Sequence, residues 1–175
     1  MGRRVRLAVL LSAAAGAVAS AEPASIPDVE LTAVFFIDKS HNRNQVVYGL
    51  ALDRDCGFRT ARPIQAFWRM RERGEGETEP LLAIEQRAYG LGPQEIIERR
   101  GDGGTVVVTM RAVPERELVF AARRAGERCE VLATTSIDGR EAVLSRVYVK
   151  TWFLGVSWIA LEGLADGSPV REVLR

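Results

Sequence analysis

The feature that most constrains this chain is a period-two alternation of apolar and polar residues, repeatedly cut by Gly, Asn and Asp. That pattern places alternate side chains on opposite faces of a strand. Leu31 to Lys39 forms the first such run. Gln45 to Asp53 is the second, with Val46, Tyr48, Leu50 and Leu52 on one face. The intervening Ser40-His41-Asn42-Arg43-Asn44 has the composition of a hairpin loop, because Asn tolerates left-handed backbone. Ile64 to Met70 follows Pro63 as a third strand, with Ala66, Trp68 and Met70 facing one way.

Residues 74 to 80 are rich in Gly and Glu and read as an exposed loop. Pro80 then stands where a helix can start. Leu81, Leu82, Ile84, Glu85, Ala88 and Tyr89 follow at near-helical spacing, and Gly90 ends the run. The second half is a meander of strands over Gln94 to Arg99, Thr105 to Val113, Glu117 to Arg124, Arg128 to Ile137, Glu141 to Phe153, Val156 to Leu164 and Pro169 to Leu174. In the long Glu141 to Phe153 run, Val143, Val147 and Val149 are expected on one face, Leu144 and Tyr148 on the other. Pro114 is expected to end its strand, Gly126 to mark a turn, and Asp138-Gly139 and Asp166-Gly167 to form tight hairpins. Few connections are long enough for helical crossovers, so the strands should pair mainly antiparallel. The expected fold is all-β: an up-and-down barrel or barrel-like sandwich of about nine or ten strands, with one short helix over an open end.

The two ends of the alternating region differ in kind. Met1 to Arg6 is short and basic, Leu7 to Val18 is apolar, and Ala19-Ser20-Ala21 is a small-x-small cleavage pattern. This is the layout of a cleavable secretory signal, too short to anchor in a bilayer. Arg3-Arg4 raises twin-arginine export, but the flanking residues favour the general secretory route. Residues 22 to 175 then form a single domain, large enough for a core of its own. Cleavage removes three arginines and no acids, taking the formal charge from +1 to −2. A near-neutral domain lacks the field for non-specific nucleic-acid binding. No Cys stands directly after the cleavage site and no later stretch is apolar enough for a membrane helix, so no membrane anchor is expected. The protein is expected to be exported and bacterial, periplasmic or secreted.

Cys56 and Cys129 are the two cysteines. In an oxidising compartment a lone pair most simply forms a disulfide, worth roughly 4 kcal/mol for so long a loop. Two buried thiols, or a metal or redox pair, are the alternatives. Neither cysteine lies in a C-x-x-C, and His41 is the only histidine. The usual zinc ligand set is absent, and no cofactor is expected.

Four stretches carry a family resemblance. Phe35-Phe36-Ile37-Asp38-Lys39-Ser40-His41-Asn42-Arg43-Asn44-Gln45-Val46-Val47-Tyr48 is the most specific, through Ser40, Asn42, Asn44 and Tyr48. Pro63 to Trp68, Pro80 to Gly90, and Val156 to Glu172 supply the others. Together they resemble the bacterial domain-of-unknown-function family 4833 across essentially the whole mature chain. Asp38 and Lys39 stand where that family carries Gln and Arg, and Phe36 and Phe67 where it carries Tyr. The resemblance implies a single exported domain and brings no assigned activity.

Candidate site residues follow from chemistry. Ser40, Asn42 and Asn44 can present hydroxyl and amide groups to a polar ligand, or satisfy their own turn. Tyr48, Trp68, Tyr89, Tyr148, Trp152 and Trp158 can line the mouth or interior of a barrel, or form ordinary core. His41 beside Ser40 suggests a nucleophile and base, but neighbours on an extended strand point apart. His41 reads instead as a solvent-facing loop residue. Lys39, Lys150, Asp38, Asp53 and Asp55 are raw material for acid–base chemistry that no spacing selects. Arg69, Arg71 and Arg73 form either a basic strip or a solvated face. The leading expectation is a non-enzymatic protein that binds a small apolar or amphipathic ligand in or at the mouth of the barrel. A module docking on another envelope protein comes second, and a hydrolase or transferase on a β scaffold third.

Overall fold

The computed structural model describes residues 31–72, 77–100, 102–152 and 155–175. The expected signal peptide, Arg73, and the Phe153 end of the long strand lie outside them. The architecture is all-β and mainly antiparallel, a curled sheet forming a half-barrel with one short helix. The strands are β1 (Leu31–Lys39), β2 (Asn42–Ala51), β3 (Ile64–Arg69), β4 (Thr78–Pro80), β5 (Glu95–Arg100), β6 (Gly103–Met110), β7 (Val113–Ala125), β8 (Arg128–Ile137), β9 (Arg140–Trp152), β10 (Gly155–Ala165) and β11 (Ser168–Leu174). Helix α1 spans Ala83–Tyr89. The sheet runs β4-β3-β2-β1-β9-β8-β7-β6-β5, with β10 on β9 and β11 on β10.

Two Asp-Gly hairpins form as the sequence predicts. Asp138 and Gly139 have φ of 53° and 73°, Asp166 and Gly167 of 50° and 75°. Both central residues are left-handed, the backbone twist that suits a two-residue hairpin. Gly126, with φ 64°, turns β7 into β8.

Several local expectations change. Ser40 and His41 alone make the first turn, and β2 already begins at Asn42. Pro80 closes β4, a strand inside the stretch read as loop, and the helix starts at Ala83. Pro114 lies near the start of β7, where the register jumps from Thr109↔Glu117 to Met110↔Val113. Proline is tolerated there because the ladder is already interrupted.

The arrangement is also not purely up-and-down. β1 pairs parallel with β9 over Phe36↔Arg146 to Lys39↔Val149. β8 follows β9 only over Arg140 to Val143, so the later part of β9 is open to β1. A bulge marks this fork. Leu144 pairs with Gly163 and Arg146 with Glu162, which leaves Ser145 extra. One extra residue reverses which face the following side chains take. Hence Ala142 and Leu144 point inward before the bulge, and Val147 and Val149 after it. Val143 is therefore out of phase with Val147, contrary to the uninterrupted alternation.

The concave face is the core. Phe35 and Tyr48 stack at 4.6 Å between centroids, and Phe120 lies 5.9 Å from Phe35. Ile37, Val46, Leu50, Val106, Leu118, Phe120, Ile137 and Val147 are 0% exposed. Each such side chain contributes on the order of 1.5–3 kcal/mol. The concave interior is thus packed with side chains.

Cys56, in the loop after β2, and Cys129, on β8, are joined by a disulfide with Cα atoms 5.4 Å apart. Asp53 shapes the loop: its Oδ1 accepts hydrogen bonds from the backbone N–H groups of Asp55 and Gly57, both at 2.8 Å. Arg124 on β7 donates to the Arg54 carbonyl and to Asp55. Among the described residues no helix is long and apolar enough to cross a membrane.

A candidate ligand cleft at the rim of the half-barrel

At the far end of β2 from the disulfide loop, a cleft of about 420 Å³ opens to solvent. Lys39 and Asn42 contribute from either side of the first turn, Asn44 from β2, and Trp68 and Met70 from β3 and its end. Glu79, Pro80, Leu82 and Glu85 close the other side.

Strand phase explains the floor. Lys39 continues the inward series of Phe35 and Ile37, and Trp68 that of Ile64 and Ala66. Lys39 Nζ lies 4.0 Å from the Trp68 ring centroid and 5.6 Å from that of Tyr89. Among the described residues it makes no ion pair or hydrogen bond. Burial lowers its pKa, while the negative Glu85 and Glu72 pull it back up. Contact with indole favours the cationic form. Among the described residues, nothing takes up the hydrogen-bonding capacity of this half-buried cation.

Helix α1 forms the opposite wall and is pinned at both ends. Glu85 Oε2 accepts from the Leu82 backbone N–H at 2.8 Å and from Trp68 Nε1 at 2.9 Å. The first bond caps the helix start; the second fixes the indole plane. At the other end the Tyr48 hydroxyl donates to the Tyr89 carbonyl at 2.6 Å. Trp68 and Tyr89 meet edge to face at 5.9 Å. Burial, and then the Glu85 charge, raises the Tyr89 pKa. Leu82 and Ile84 remain 62% and 75% exposed, giving this wall an apolar rim.

The residues of the first motif divide by role. Tyr48 is 0% exposed and supports α1 from beneath. Asn44 Oδ1 accepts from the Glu72 backbone N–H at 3.2 Å, and Glu72 Oε1 from that of Arg43 at 3.0 Å. Asn42 Oδ1 is buried without a hydrogen-bond partner. Ser40 extends the parallel ladder. Its N–H donates to the Val149 carbonyl at 3.1 Å, and its Oγ accepts from the Thr151 N–H at 3.1 Å.

Ser40 and His41 do meet, against the extended-strand expectation, because both sit in the turn. Ser40 Oγ lies 2.8 Å from His41 Nδ1, which also lies 2.5 Å from Thr151 Oγ1. His41 is exposed, as a loop histidine should be. Both groups near its ring nitrogen are hydroxyls, so this trio lacks the acidic residue that orients a catalytic histidine.

Other candidates lie elsewhere. Val147 and Val149 point inward, so Tyr148 points outward and packs 5.4 Å from Trp158. Trp152 is 75% exposed at the end of β9. The same outer face carries a polar chain. Arg71 Nε donates to Gln45 Oε1 and Gln45 Nε2 to Asp38 Oδ1, at 2.9 and 2.8 Å. Asp38 pairs with Arg146 at 2.8 Å, and Glu162 bridges Arg146 and Arg171 at 3.4 and 3.3 Å. Lys150 is the cross-strand partner of Trp158, and Arg69 sits on β3. Asp53 and Asp55 belong to the disulfide loop. The structure therefore gathers Asn42, Asn44, Trp68 and Tyr89, with Tyr48 beneath, and separates Tyr148 and Trp152.

Lys39 and Glu85 are two polar cleft residues that sequence reasoning did not select. Their signals were Lys39's phase with Phe35 and Ile37, and Glu85's place three residues after the helix cap. Among the described residues, no three His, Cys, Asp or Glu side chains converge to hold a metal ion.

The fold and cleft define a disulfide-linked β half-barrel with a small, solvent-open pocket at its rim. The chain belongs to the family described as Domain of unknown function (DUF4833), whose sequence model matches residues 35–173. No curated protein and no solved structure matches it.

Proposed function

We propose that this is an exported, non-enzymatic binding protein that takes a small amphipathic ligand in the rim cleft. The observation that carries the reading is the cleft's composition. A cation and an amide oxygen, neither with a hydrogen-bond partner among the described residues, lie beside the apolar groups of Trp68, Met70, Pro80 and Leu82. Small-molecule sites typically combine apolar walls with a few placed polar groups, and the volume falls in their usual range. Glu85, a carboxylate of the cleft, is engaged by Trp68 and Leu82. That engagement suits scaffolding better than proton transfer.

Export is supported by the N-terminal pattern and by the disulfide, which persists in oxidising compartments. N-terminal sequencing of the protein from its own host should read from Glu22.

Native mass spectrometry of that same material tests the ligand reading. A co-purified small molecule, lost in a Leu82→Arg variant that still folds, is the expected result. An unliganded mass, together with no thermal shift on adding a panel of amphiphiles, would overturn it.

A further inference from the structure

We infer that the cleft recognises an anionic head group that also carries an N–H or O–H donor, with Lys39 and Asn42 reading it together. The inference rests on the ligand reading above and specifies the ligand's polar end.

Lys39 and Asn42 are direct partners across the β1–β2 ladder. Directly opposed residues carry their side chains to the same face, and both line the cleft. Lys39 offers three ammonium hydrogens, and no acceptor takes them among the described residues. Asn42 Oδ1 is an acceptor buried with no donor. The two do not bond each other, so a donor and an acceptor without partners among the described residues line the same cleft. The buried Asn42 oxygen is costly to leave unpaired away from water.

Both gaps close with one kind of group. A carboxylate or phosphate pairs with Lys39, and an adjoining hydroxyl or amide hydrogen reaches Asn42. Glu85 and Glu72 do not fill the first role. Glu85 is held by Trp68 and Leu82, and Glu72 by the Arg43 backbone N–H. Neither is within ion-pair distance of Lys39, yet both favour its protonated state. The indole beneath Lys39 fixes the ammonium without neutralising it. The apolar part of the ligand then lies along Met70, Pro80 and Leu82.

The test is calorimetric titration of the disulfide-intact mature chain with four amphiphiles sharing one alkyl chain: dodecanoate, dodecyl phosphate, dodecanol and dodecyltrimethylammonium, each below micelle formation. An anionic probe should bind about tenfold or more tighter than dodecanol or the ammonium, equivalent to about 1.4 kcal/mol. Comparing dodecanoate with dodecyl phosphate separates the two anion classes. Lys39→Met should abolish the anionic preference, Lys39→Arg should keep it, and Lys150→Met should leave it unchanged. Asn42→Asp should weaken anion binding by like-charge repulsion while circular dichroism shows the fold intact. Equal binding of all four probes, or preference for the ammonium, overturns this inference but leaves the cleft a ligand site. Binding of none overturns both readings.

Discussion

The Tyr48 hydroxyl donates a 2.6 Å hydrogen bond to the backbone carbonyl of Tyr89, tying a fully buried core residue to the last residue of α1. The bond crosses from the stacked Phe35–Tyr48 pair to the wall of the cleft. Tyr48→Phe keeps the ring and leaves the carbonyl short of a partner. A loss of about 1–2 kcal/mol in urea unfolding is expected. Faster amide exchange at Gln86 and Gly90, whose N–H groups close the helix, should accompany it. Unchanged exchange there would show that Tyr48 does not hold α1.

The same tyrosine makes stability fall in alkali. Burial, helped by Tyr89, pushes the Tyr48 phenol far above its ordinary 10.0, and Tyr89 is raised as well. Above pH 10 the unfolded chain releases these protons while the folded chain keeps them, so folding is disfavoured as pH rises. Lys39 acts oppositely. Its folded pKa lies below 10.5, so the cost of burying the ammonium is relieved as pH rises through that lowered value. Urea midpoints should therefore hold or rise slightly towards pH 10, then drop. Tyr48→Phe should flatten the drop.

Two glycines separate steric from conformational cost. A Cβ on Gly163 would meet the Val143 carbonyl oxygen at 2.3 Å, beside the Ser145 bulge. That contact is backbone and cannot swing away. Gly163→Ala should cost more than about 2 kcal/mol. Gly139 has open space around a Cβ but a φ of 73°, so Gly139→Ala should cost about 1–2 kcal/mol through strain alone. Thermal unfolding of the two variants side by side checks the order.

Much of this fold was legible because its signals are local. Asp138-Gly139 and Asp166-Gly167 need only their own backbone preferences to form hairpins. Val106, Val108 and Met110 show the inward phase of β6 on their face. The parallel pairing of β1 with β9 depends on which edge is left open more than a hundred residues later, and alternation carries no such information. The Ser145 bulge was hidden because a serine among valines looks like an ordinary outward residue. The cleft was half legible. Asn42, Asn44 and Trp68 were selected by type and do converge, whereas Tyr148 and Trp152 were selected by type without regard to phase. Lys39 was named only as raw material for acid–base chemistry, because a lysine's place in a sequence shows neither its burial nor its neighbours.

The disulfide gives the last prediction its magnitude. Cys56 and Cys129 are 73 residues apart in sequence, so the bond closes a long loop in the unfolded chain. Chain entropy then gives about 4 kcal/mol. Cys56 also sits at φ 66°, a left-handed backbone that a side chain adopts at some cost, and the loop leans on Asp53 and Arg124. A Cys56→Ser/Cys129→Ser chain should unfold at clearly lower urea, with faster hydrogen exchange at amides that open only on global unfolding and, through loss of the tether, around residues 52–63. Because the rim cleft lies at the other end of β2, amphiphile affinity at low temperature should be retained in molecules that stay folded. Loss of binding with the fold intact would mean that the loop and the cleft are coupled through β2.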